Sequence, residues 1–378
     1  MKQIHDFNFS EKTALVRCDF NVSLSKLNEI IDDYRIEASL ATIRHLIKEK
    51  ARVVLMSHFS GSKEKVVHEK IQKMLGQPVF LLKNHQEVNK TNLGDVSLLP
   101  NLRENKGEEE NDPAFSQQLA SLGDIYVNEA FSVSHREHAS LVGIAKILPS
   151  CAGIHLIEEI KVLAKIISNP WRPLVMIVGG AKIDSKVRAL KGFLELADHL
   201  LLGGKLVNEV LTIKRMIARE EPLPEDLVNE VKKIDLTSPR LHFPLDVIAS
   251  SNPKGDYYTR ITGPGLIRKE ESIYDIGPET INIYSRIIKE AKMIVWAGPL
   301  GLFEERKFEK GTKEIARAVS FNHEAFKVVG GGDTGTALTK FNFRKGIDHI
   351  STGGGAMLEF LSGNELPALK ALGYYERE

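Results

Sequence analysis

The sequence predicts an α/β protein of two lobes, in which parallel sheets are covered by helices. Short runs rich in β-branched residues alternate with longer segments of helical periodicity, which is the pattern of parallel strands joined by helices. A length of 378 residues predicts two domains. Between two sets of strand candidates, Ile154–Ser168 is strongly helical and is ended by Asn169-Pro170. We therefore expect this helix to connect the two lobes.

The strand candidates are short apolar runs bounded by turn residues. In the first half they are Ala14–Asp19, Val53–Ser57, Val79–Leu82 and Ile125–Asn128. In the second half they are Leu174–Val178, His199–Leu202, Met293–Trp296, Phe326–Val329 and His349–Ser351. Because open α/β sheets bind ligands at the carboxyl ends of their strands, the residues that follow these runs are the candidate site residues.

Composition limits the possible partners. The chain has 51 lysines and arginines against 50 aspartates and glutamates, and a formal charge of +1 argues against broad nucleic-acid binding. The two cysteines, Cys18 and Cys151, offer no disulfide framework or metal-ligand spacing and fit a reducing cytoplasm. We find no signal-peptide pattern and no apolar run as long as a membrane span. The expectation is a cytoplasmic protein that binds neither nucleic acid nor membrane.

The segment Val328–Thr334, VVGGGDT, breaks an apolar run with three glycines and an acid before a helical pattern resumes. Such a break is typical of a strand that leads into a phosphate-binding helix N-terminus, and Asp333 could hold the accompanying cation. Similar breaks occur at Gly179–Lys182, Gly203–Lys205, Gly298-Pro299 and Gly353–Gly355. Five breaks of this kind indicate one site assembled from several strand ends.

Two other nucleotide-binding motifs fit less well. Gly330, Gly332 and Gly335 satisfy the dinucleotide pattern G-x-G-x-x-G, but they lie near the carboxyl terminus, and the nearest acid, Asp348, comes too early. Gly204-Lys205 lacks both the earlier glycine and the following hydroxyl residue of a Walker P-loop. A dehydrogenase is therefore the weaker hypothesis.

In the first half of the chain, polar residues rather than glycines follow the predicted strands. Asp19 and Asn21 follow one strand and His58 follows another, while the arginines Arg35, Arg103 and Arg136 lie in or beside loops. Guanidinium groups pair bidentately with carboxylate and phosphate, so this set suits a small phosphorylated acid. Each residue alone is more commonly a surface ion pair, a turn or a structural histidine. The charged segment Arg103–Asp112 is interpreted as a solvated loop, with Arg103 as the possible exception.

Several motifs taken together resemble the phosphoglycerate kinase family. In the first half they are Val16–Asn21, Asp32–Ile36, Val54–His58, Asn101–Arg103, Glu108–Pro113 and Tyr126–Ser140. In the second half they are Gly179–Lys186, Asp275–Thr280, Trp296–Glu304, Gly330–Thr334 and Ser351–Phe360. They stand in the family's order across nearly the whole chain.

The resemblance implies two Rossmann-like lobes that face an interdomain cleft. It implies a domain at residues 1–153 for 3-phosphoglycerate or 1,3-bisphosphoglycerate, with 362–378 returning to it, a connecting helix at 154–169, and a domain at 170–361 for ATP or ADP with Mg²⁺. The substrate-site positions are Asp19, Asn21, Arg35, His58, Phe59, Ser60, Gly61, Arg103 and Arg136. The nucleotide-site positions are Gly180, Lys182, Lys186, Pro299, Glu304, Gly331, Gly332, Asp333 and Thr334. Asp333 would hold the metal and Glu304 would contact the ribose.

Phosphoryl transfer needs in-line positioning and neutralisation of charge rather than a covalent enzyme intermediate. Arg35 is the candidate to reach the transferring group, and Gly354 and Gly355 could donate backbone N–H groups to it. Lys182 and Lys186 are spaced i, i+4 and can share one helix face. A solvated basic face is the commoner fate of such a pair, but the two preceding glycines favour a catalytic role for Lys182.

The chain departs from the family pattern at several positions, among them the segment His58–Ser62, where the family has histidine, leucine, glycine, arginine and proline. Gly61 stands where the family has a substrate-site arginine, and Ala297 stands where it has an asparagine. Lys205 replaces a glycine and Ala41 replaces a proline. Lys63 or Lys65 could supply the charge that is missing at Gly61.

We predict an ATP-dependent phosphoglycerate kinase of glycolysis and gluconeogenesis that works as a monomer. The alternative is a degenerate family member that binds ligands without turnover. Retention of Arg35, Lys182, Lys186 and Asp333 together favours the enzyme.

Overall fold

The structure is a computed structural model that divides the chain into two compact units, Met1–Val162 with Glu365–Glu378, and Leu163–Asn364. It describes residues 1–25, 27–61, 63–180, 184–207, 210–211 and 234–376, without the side chains of residues 184–188. The assignment of one ligand to each domain, with the boundaries given above, stays a prediction.

The first unit is built on a parallel sheet. Its strands are β1 (Thr13–Arg17), β2 (Arg52–Met56), β3 (Val79–Leu81), β4 (Val96–Leu98), β5 (Ile125–Asn128) and β6 (Ser150–Ala152). Over the described residues these six strands lie in the order β3-β4-β2-β1-β5-β6, and every neighbouring pair is parallel. All six strands therefore end at one edge of the sheet, and the residues that follow β1, β2 and β5 lie at this edge.

Helices flank this sheet. They are α1 (Tyr34–Lys48), α2 (Glu64–Leu75), α3 (Lys106–Glu109), α4 (Pro113–Ala120) and the first part of α5 (Ile154–Ser168). Val16 and Leu55 of the sheet share a buried cluster with Ile36 of α1 and Val67 of α2. Gly76, at a φ of +72°, ends α2 in the left-handed conformation that glycine adopts without strain.

The interpretation of Arg103–Asp112 as a solvated loop was wrong. Leu102–Glu104 forms a 3-10 turn and Lys106–Glu109 forms α3, while Asp112 caps α4 by accepting a hydrogen bond from the backbone N–H of Phe115 at 2.7 Å. Glu108 is fully buried. The run of charged residues suggested a solvated loop because the ionic partner of Glu108 lies on a strand that is far away in the sequence.

The second unit contains the rest of α5 and two sheets. Its strands are β7 (Leu174–Val178), β8 (His199–Leu202), β9 (Leu241–His242), β10 (Val247–Ser250), β11 (Arg260–Thr262), β12 (Ser272–Ile276), β13 (Met293–Ala297), β14 (Phe326–Gly330) and β15 (His349–Ser351). In the described residues a parallel sheet has the order β15-β14-β13-β7-β8-β9, and an antiparallel sheet has the order β11-β10-β12. The antiparallel sheet was not predicted, nor were the short strands β4 and β6.

Further helices within the described ranges are α6 (Asp184–Leu196), α7 (Pro278–Glu290), α8 (Lys310–Phe321), α9 (Gly332–Lys340), α10 (Gly354–Leu361) and α11 (Pro367–Ala371). Helix α11 belongs to the first unit, where the N–H of Ala368 donates to the carbonyl of Ser134 at 3.1 Å. Trp296 and Ile177 of the second parallel sheet pack in one buried cluster with Tyr284 of α7 and Ile315 of α8. Two parallel sheets with flanking helices confirm the predicted fold class.

The predicted helix Ile154–Ser168 is confirmed with the same bounds. Cys18 and Cys151 are buried and unbonded, as free packed thiols. Within the described ranges, no helix combines the length and apolar character needed to cross a bilayer.

Candidate active-site residues in each unit

In the first unit, the ends of β1 and β2 bring Asp19 and His58 together. The two strands are paired in register, Arg17 opposite Met56, so the residues that follow them emerge side by side. Both side chains are buried, with Asp19 5% and His58 4% exposed. Arg35, the second residue of α1, places Nη1 2.9 Å from Oδ2 of Asp19 and donates to the backbone carbonyl of Asn21 at 3.0 Å. These two contacts hold the Arg35 guanidinium beside the residues that follow β1.

Asp19 is held as a carboxylate. Burial raises its pKa, but the Arg35 guanidinium, His58 and the hydroxyl of Ser132 lower it, and the net result is a pKa of about 2. The backbone N–H of Asn21 also donates to Oδ1 at 3.0 Å. Asp19 is therefore ionised throughout the neutral range and serves to orient Arg35 rather than to exchange a proton.

The loop after β2 is fastened to the loop after β1. The amide of Asn21 donates from Nδ2 to the Ser60 hydroxyl at 3.1 Å, and Oδ1 accepts from the Ser60 N–H at 3.0 Å. The side chain of Asn101 makes two hydrogen bonds to the backbone of Phe59, at 3.0 and 3.1 Å. Gly61 follows with a φ of +78° and is exposed. The structure thus joins Asn21, Phe59, Ser60 and Gly61 to the pair formed by Asp19 and Arg35.

Arg103 and Arg136 repel one another electrostatically. Burial lowers the pKa of Arg103, and the charge of Arg136 lowers it further. Arg103 lies 3.1 Å from a carboxylate oxygen of Glu109, whereas Arg136 is exposed. An anion bound beside both guanidinium groups would relieve this repulsion.

Sequence reasoning missed Arg17, the last residue of β1. Its side chain is fully buried and donates from Nε to the Ser140 hydroxyl at 2.7 Å. That hydroxyl donates to Glu108 at 2.6 Å. Burial raises the pKa of Glu108, but His138, Arg17 and Ser140 together lower it to about 2. An arginine inside the apolar run ALVRCDF was the available signal, because a buried cation requires partners.

In the second unit, the carboxyl ends of β7, β13, β14 and β15 meet at one edge. The glycines there approach backbone so closely that a side chain would not fit. A Cβ at Gly179 would lie 2.2 Å from the carbonyl oxygen of Pro299, and one at Gly354 would lie 2.8 Å from the Cα of Gly331. Gly180 has a φ of +86°, which also favours glycine. Four of the five predicted glycine breaks therefore lie at the same edge of the sheet. The fifth lies there too, because a Cβ at Gly204 would be 2.7 Å from the backbone nitrogen of Gly180.

Two helix N-termini lie at this edge. Gly331, at a φ of +97°, turns the chain so that α9 begins at Gly332, and α10 begins at Gly354. The hydroxyl of buried Thr334 accepts from the Gly298 N–H at 2.8 Å and donates to the Gly330 carbonyl at 3.1 Å. Gly332 and Asp333 are exposed. The leading N–H groups and the dipoles of the two helices make this edge suitable for phosphate.

The loop that carries Glu304 is anchored by buried Asp275. The Asp275 carboxylate accepts hydrogen bonds from the N–H groups of Gly311 at 2.7 Å and Ile276 at 2.9 Å. A Cβ on Gly301 or on Gly311 would lie 2.1 Å from Oδ1 of Asp275. Burial raises the pKa of Asp275 to about 8. This packing fixes the loop while Glu304 itself is exposed.

Lys182 lies outside the described residues. Lys186 lies in α6, but its side chain is outside the description. Across the described ranges, no group of three histidine, cysteine or carboxylate side chains is placed to hold a metal ion.

Fold and site together define an α/β protein in which two helices begin at an edge of the parallel sheet of one unit, and the Asp19–Arg35 ion pair lies at an edge of the parallel sheet of the other. The sequence profile of the phosphoglycerate kinase family matches residues 4–364. The chain is 37% identical to the phosphoglycerate kinase of Thermomicrobium roseum over 98% of its length and 99% of the relative's. It is 38% identical to that of Herpetosiphon aurantiacus, with 98% of each chain covered.

Solved structures agree. Phosphoglycerate kinase from Pyrococcus horikoshii aligns with a TM-score of 0.84 and 30% identity, over 99% of this chain and 98% of that one. The structure from Coxiella burnetii aligns with a TM-score of 0.76 and 33% identity, over 99% of both chains. The chain belongs to the phosphoglycerate kinase family, which consists of ATP-dependent phosphotransferases.

Proposed function

We propose that this protein catalyses reversible transfer of the acyl phosphate of 1,3-bisphosphoglycerate to ADP, which yields 3-phosphoglycerate and ATP. The observation that supports this reaction most directly is that each unit has a sheet edge with groups suited to anions. In the first unit the Arg35 guanidinium lies there, paired with Asp19, and in the second unit helices begin there at Gly332 and Gly354. A reaction between two phosphorylated substrates requires both.

The first unit is proposed to bind the phosphoglycerate. Its proposed contacts are Asp19, Asn21, Arg35, His58, Phe59, Ser60, Gly61, Arg103 and Arg136. Guanidinium groups would pair with the phosphate and carboxylate of the substrate. The Asn21–Ser60 hydrogen bonds at 3.0 and 3.1 Å would hold the two loops in position for these contacts.

The second unit is proposed to bind the nucleotide. Its proposed contacts are Gly180, Lys182, Lys186, Pro299, Glu304, Gly331, Gly332, Asp333 and Thr334. The N–H groups that begin α9 would face the phosphates, since Gly331 turns the chain away from them. Exposed Glu304 would accept hydrogen bonds from the ribose hydroxyls.

The residues at this edge fit a magnesium ion. Asp333 is an exposed carboxylate in the first turn of α9, and proteins commonly hold magnesium through one or two carboxylates together with substrate phosphates. Asp333 would therefore be the protein ligand. When bound, the ion would neutralise phosphate charge.

The proposed chemistry requires no covalent enzyme intermediate. Arg35 would contact the transferring phosphoryl group, and the N–H groups of Gly354 and Gly355 would stabilise the charge that develops on it. The ion pair with Asp19, at 2.9 Å, keeps the Arg35 guanidinium oriented before substrate arrives. Preorganised donors of this kind lower the barrier because they need not reorient during the reaction.

A coupled assay tests the proposal, with acyl-phosphate formation from ATP and 3-phosphoglycerate as the measurement. We expect turnover that requires both substrates and magnesium. Tight binding of both ligands without turnover would support the binding-only alternative instead. An Arg35→Ala variant in the same assay controls for contaminating activity.

We also propose that the protein works as a monomer in the cytoplasm. Two buried, unbonded cysteines suit a reducing compartment. Light scattering after gel filtration should give a mass near 42.2 kDa. A mass of twice that value would reject the monomer.

A further inference from the structure

Arg17 reaches the imidazole of His58 from inside the first unit. Its Nη2 lies 3.4 Å from Nδ1 of His58, within hydrogen-bonding geometry. The other guanidinium nitrogens are engaged, since Nε donates to the Ser140 hydroxyl at 2.7 Å and Nη1 donates to the Cys18 carbonyl at 2.5 Å. Glu108 lies 3.7 Å from Nη2 and balances its charge. Three groups therefore hold the Arg17 guanidinium in place in addition to its contact with His58.

The chemistry of this contact fixes the tautomer of His58. An arginine side chain has only donors, so Nδ1 of His58 must be the acceptor and cannot carry a proton. The one ring proton of the neutral imidazole is then on Nε2. That nitrogen lies on the side of Asp19, 4.0 Å from its Oδ1. His58 thus presents an N–H toward the proposed substrate site, and Arg17 contacts the opposite nitrogen.

We propose that Arg17 is a positioning residue that locks His58 as the neutral tautomer with its proton on Nε2, so that His58 donates a hydrogen bond to the phosphoglycerate. This inference rests on the proposed substrate site of the first unit. It adds a residue that would not touch the substrate. It also predicts that substrate binding through His58 does not vary over the range in which free histidine titrates.

The charges around His58 support the lock. Burial lowers its pKa, and Asp19 on the loop after β1 opposes this by raising it. Arg17 at the end of β1, Arg103 on the 3-10 turn and Arg35 on α1 lower it again. The net result is a decrease from 6.5 to about 3. Protonation of Nδ1 would set an N–H against the guanidinium of Arg17, so the geometry and the charges favour the same neutral state.

Nitrogen NMR of the wild-type protein labelled in its histidines tests the tautomer directly. His58→Gln identifies the His58 signals by their disappearance. We expect an unprotonated Nδ1 and a protonated Nε2, with neither shift changing between about pH 5 and 8, where ordinary histidines titrate. A proton on Nδ1, or a titration in this range, would overturn the proposal.

An Arg17→Lys variant tests the consequence for binding. Lysine keeps the positive charge, but one ammonium cannot reach the Ser140 hydroxyl, the Cys18 carbonyl and His58 together. We expect part of the buried, neutral His58 to carry its proton on Nδ1 in the NMR spectrum, because no guanidinium then holds that nitrogen as an acceptor. The KM for 3-phosphoglycerate should rise severalfold over that of the wild type, and kcat should change less than KM.

Controls separate this role from a loss of structure. Arg44→Lys changes an exposed arginine of α1 that donates to the Met74 carbonyl at 2.9 Å, and it should leave both the tautomer of His58 and the KM unchanged. Where Arg17→Lys lowers folding yield, Ser140→Ala removes one anchor of the guanidinium and should produce a smaller shift of the same kind. An unchanged tautomer and an unchanged KM in a folded Arg17→Lys protein would reject the proposal. Absence of kinase activity in the wild type would reject the proposed function instead, whatever the NMR result.

Discussion

The two units make their candidate ligand edges from different atoms. In the first unit the edge consists of side chains, as in the Asp19–Arg35 pair at 2.9 Å. In the second it consists largely of backbone, since a Cβ at Gly354 would lie 2.8 Å from the Cα of Gly331. Binding at an edge made of side chains should weaken when a charged group is removed. Binding at an edge made of backbone should weaken when a side-chain atom is added. The contrast therefore predicts which substitutions reduce the binding of which substrate.

The largest effect is expected at Arg35. We predict that Arg35→Ala lowers kcat by about 100- to 1,000-fold, because it removes a donor to charge that develops in the transition state. Binding of 3-phosphoglycerate, measured by calorimetry, should weaken much less. Arg44→Ala on the same helix is the matched control and should leave kcat close to that of the wild type. Normal kcat with only a raised KM would reject the catalytic role of Arg35.

Next in size is Gly354→Ala. The added methyl group must displace the backbone at Gly331, and overpacking of this kind costs about 1–3 kcal/mol, or roughly a fivefold to a hundredfold weakening of nucleotide binding. Binding of 3-phosphoglycerate should persist, which calorimetry with each ligand would check.

Gly263→Ala is the control for this substitution, because a Cβ there meets nothing closer than 3.7 Å. Equal loss of both ligands in Gly354→Ala would show a general folding defect and break the contrast between the units.

Asp333→Asn probes the one charged side chain of the backbone edge that we assign to the metal. The change keeps size and removes charge, so use of the magnesium nucleotide should weaken by about tenfold or more. Binding of 3-phosphoglycerate should be unaffected in a separate titration. Asp256→Asn alters another exposed acid of the same unit and should change neither ligand. Unchanged dependence of activity on magnesium in Asp333→Asn would remove Asp333 as the ligand.

The smallest effects are expected around Gly61, where the first unit lacks a family arginine. Lys63 places its Nζ 2.8 Å from the Val22 carbonyl and 3.5 Å from Oδ1 of Asn21, beside the proposed substrate contacts. We predict that Lys63→Ala weakens 3-phosphoglycerate severalfold, whereas Lys65→Ala, at an exposed position, serves as the control. Equal affinities in the wild type and both variants would end the compensation hypothesis.

Gly61→Arg should change affinity little. A Cβ at Gly61 meets nothing within 4 Å, but the φ of +78° would cost about 1 kcal/mol in an arginine, which offsets the attraction between the new guanidinium and the substrate. An affinity for 3-phosphoglycerate raised tenfold or more in titration would show that the strain is smaller than expected.

The same contrast explains what the sequence could predict. Long apolar runs such as Leu174–Val178 and the glycine breaks after them identified the second sheet, because buried parallel strands read as continuous apolar segments. Three-residue strands were predicted unevenly, since β3 and β15 were identified but β4 and β6 were missed, because three residues are too few to show a period. The apolar runs therefore predicted the parallel sheets but not every short strand.

The buried ionic contacts could not be predicted from the sequence for a different reason. Arg17 and Glu108 are 3.7 Å apart in the structure but far apart in the chain, and a charged run such as EEEND looks solvated when it is read locally. Asp19, Arg35 and His58 were named as candidate site residues from the strand ends and loops, and the family resemblance assigned them to the substrate site. The ion pair of Arg35 with Asp19 at 2.9 Å and the approach of His58 to Asp19 at 4.0 Å became visible only with the fold.

Asp275 makes the free energy of unfolding depend on pH. Its pKa is about 8 in the folded chain against an ordinary value of 3.8, so between these values the folded carboxyl keeps a proton that the unfolded chain releases. Unfolding then liberates a proton, and rising pH favours unfolding until the folded group also ionises, above about pH 8. Asp275→Asn should flatten this part of the curve of stability against pH, as measured by denaturant titration. A carboxyl packed against Gly301 and Gly311, at either end of the segment that carries Glu304, thus makes the folded chain less stable as the pH rises from acid to neutral.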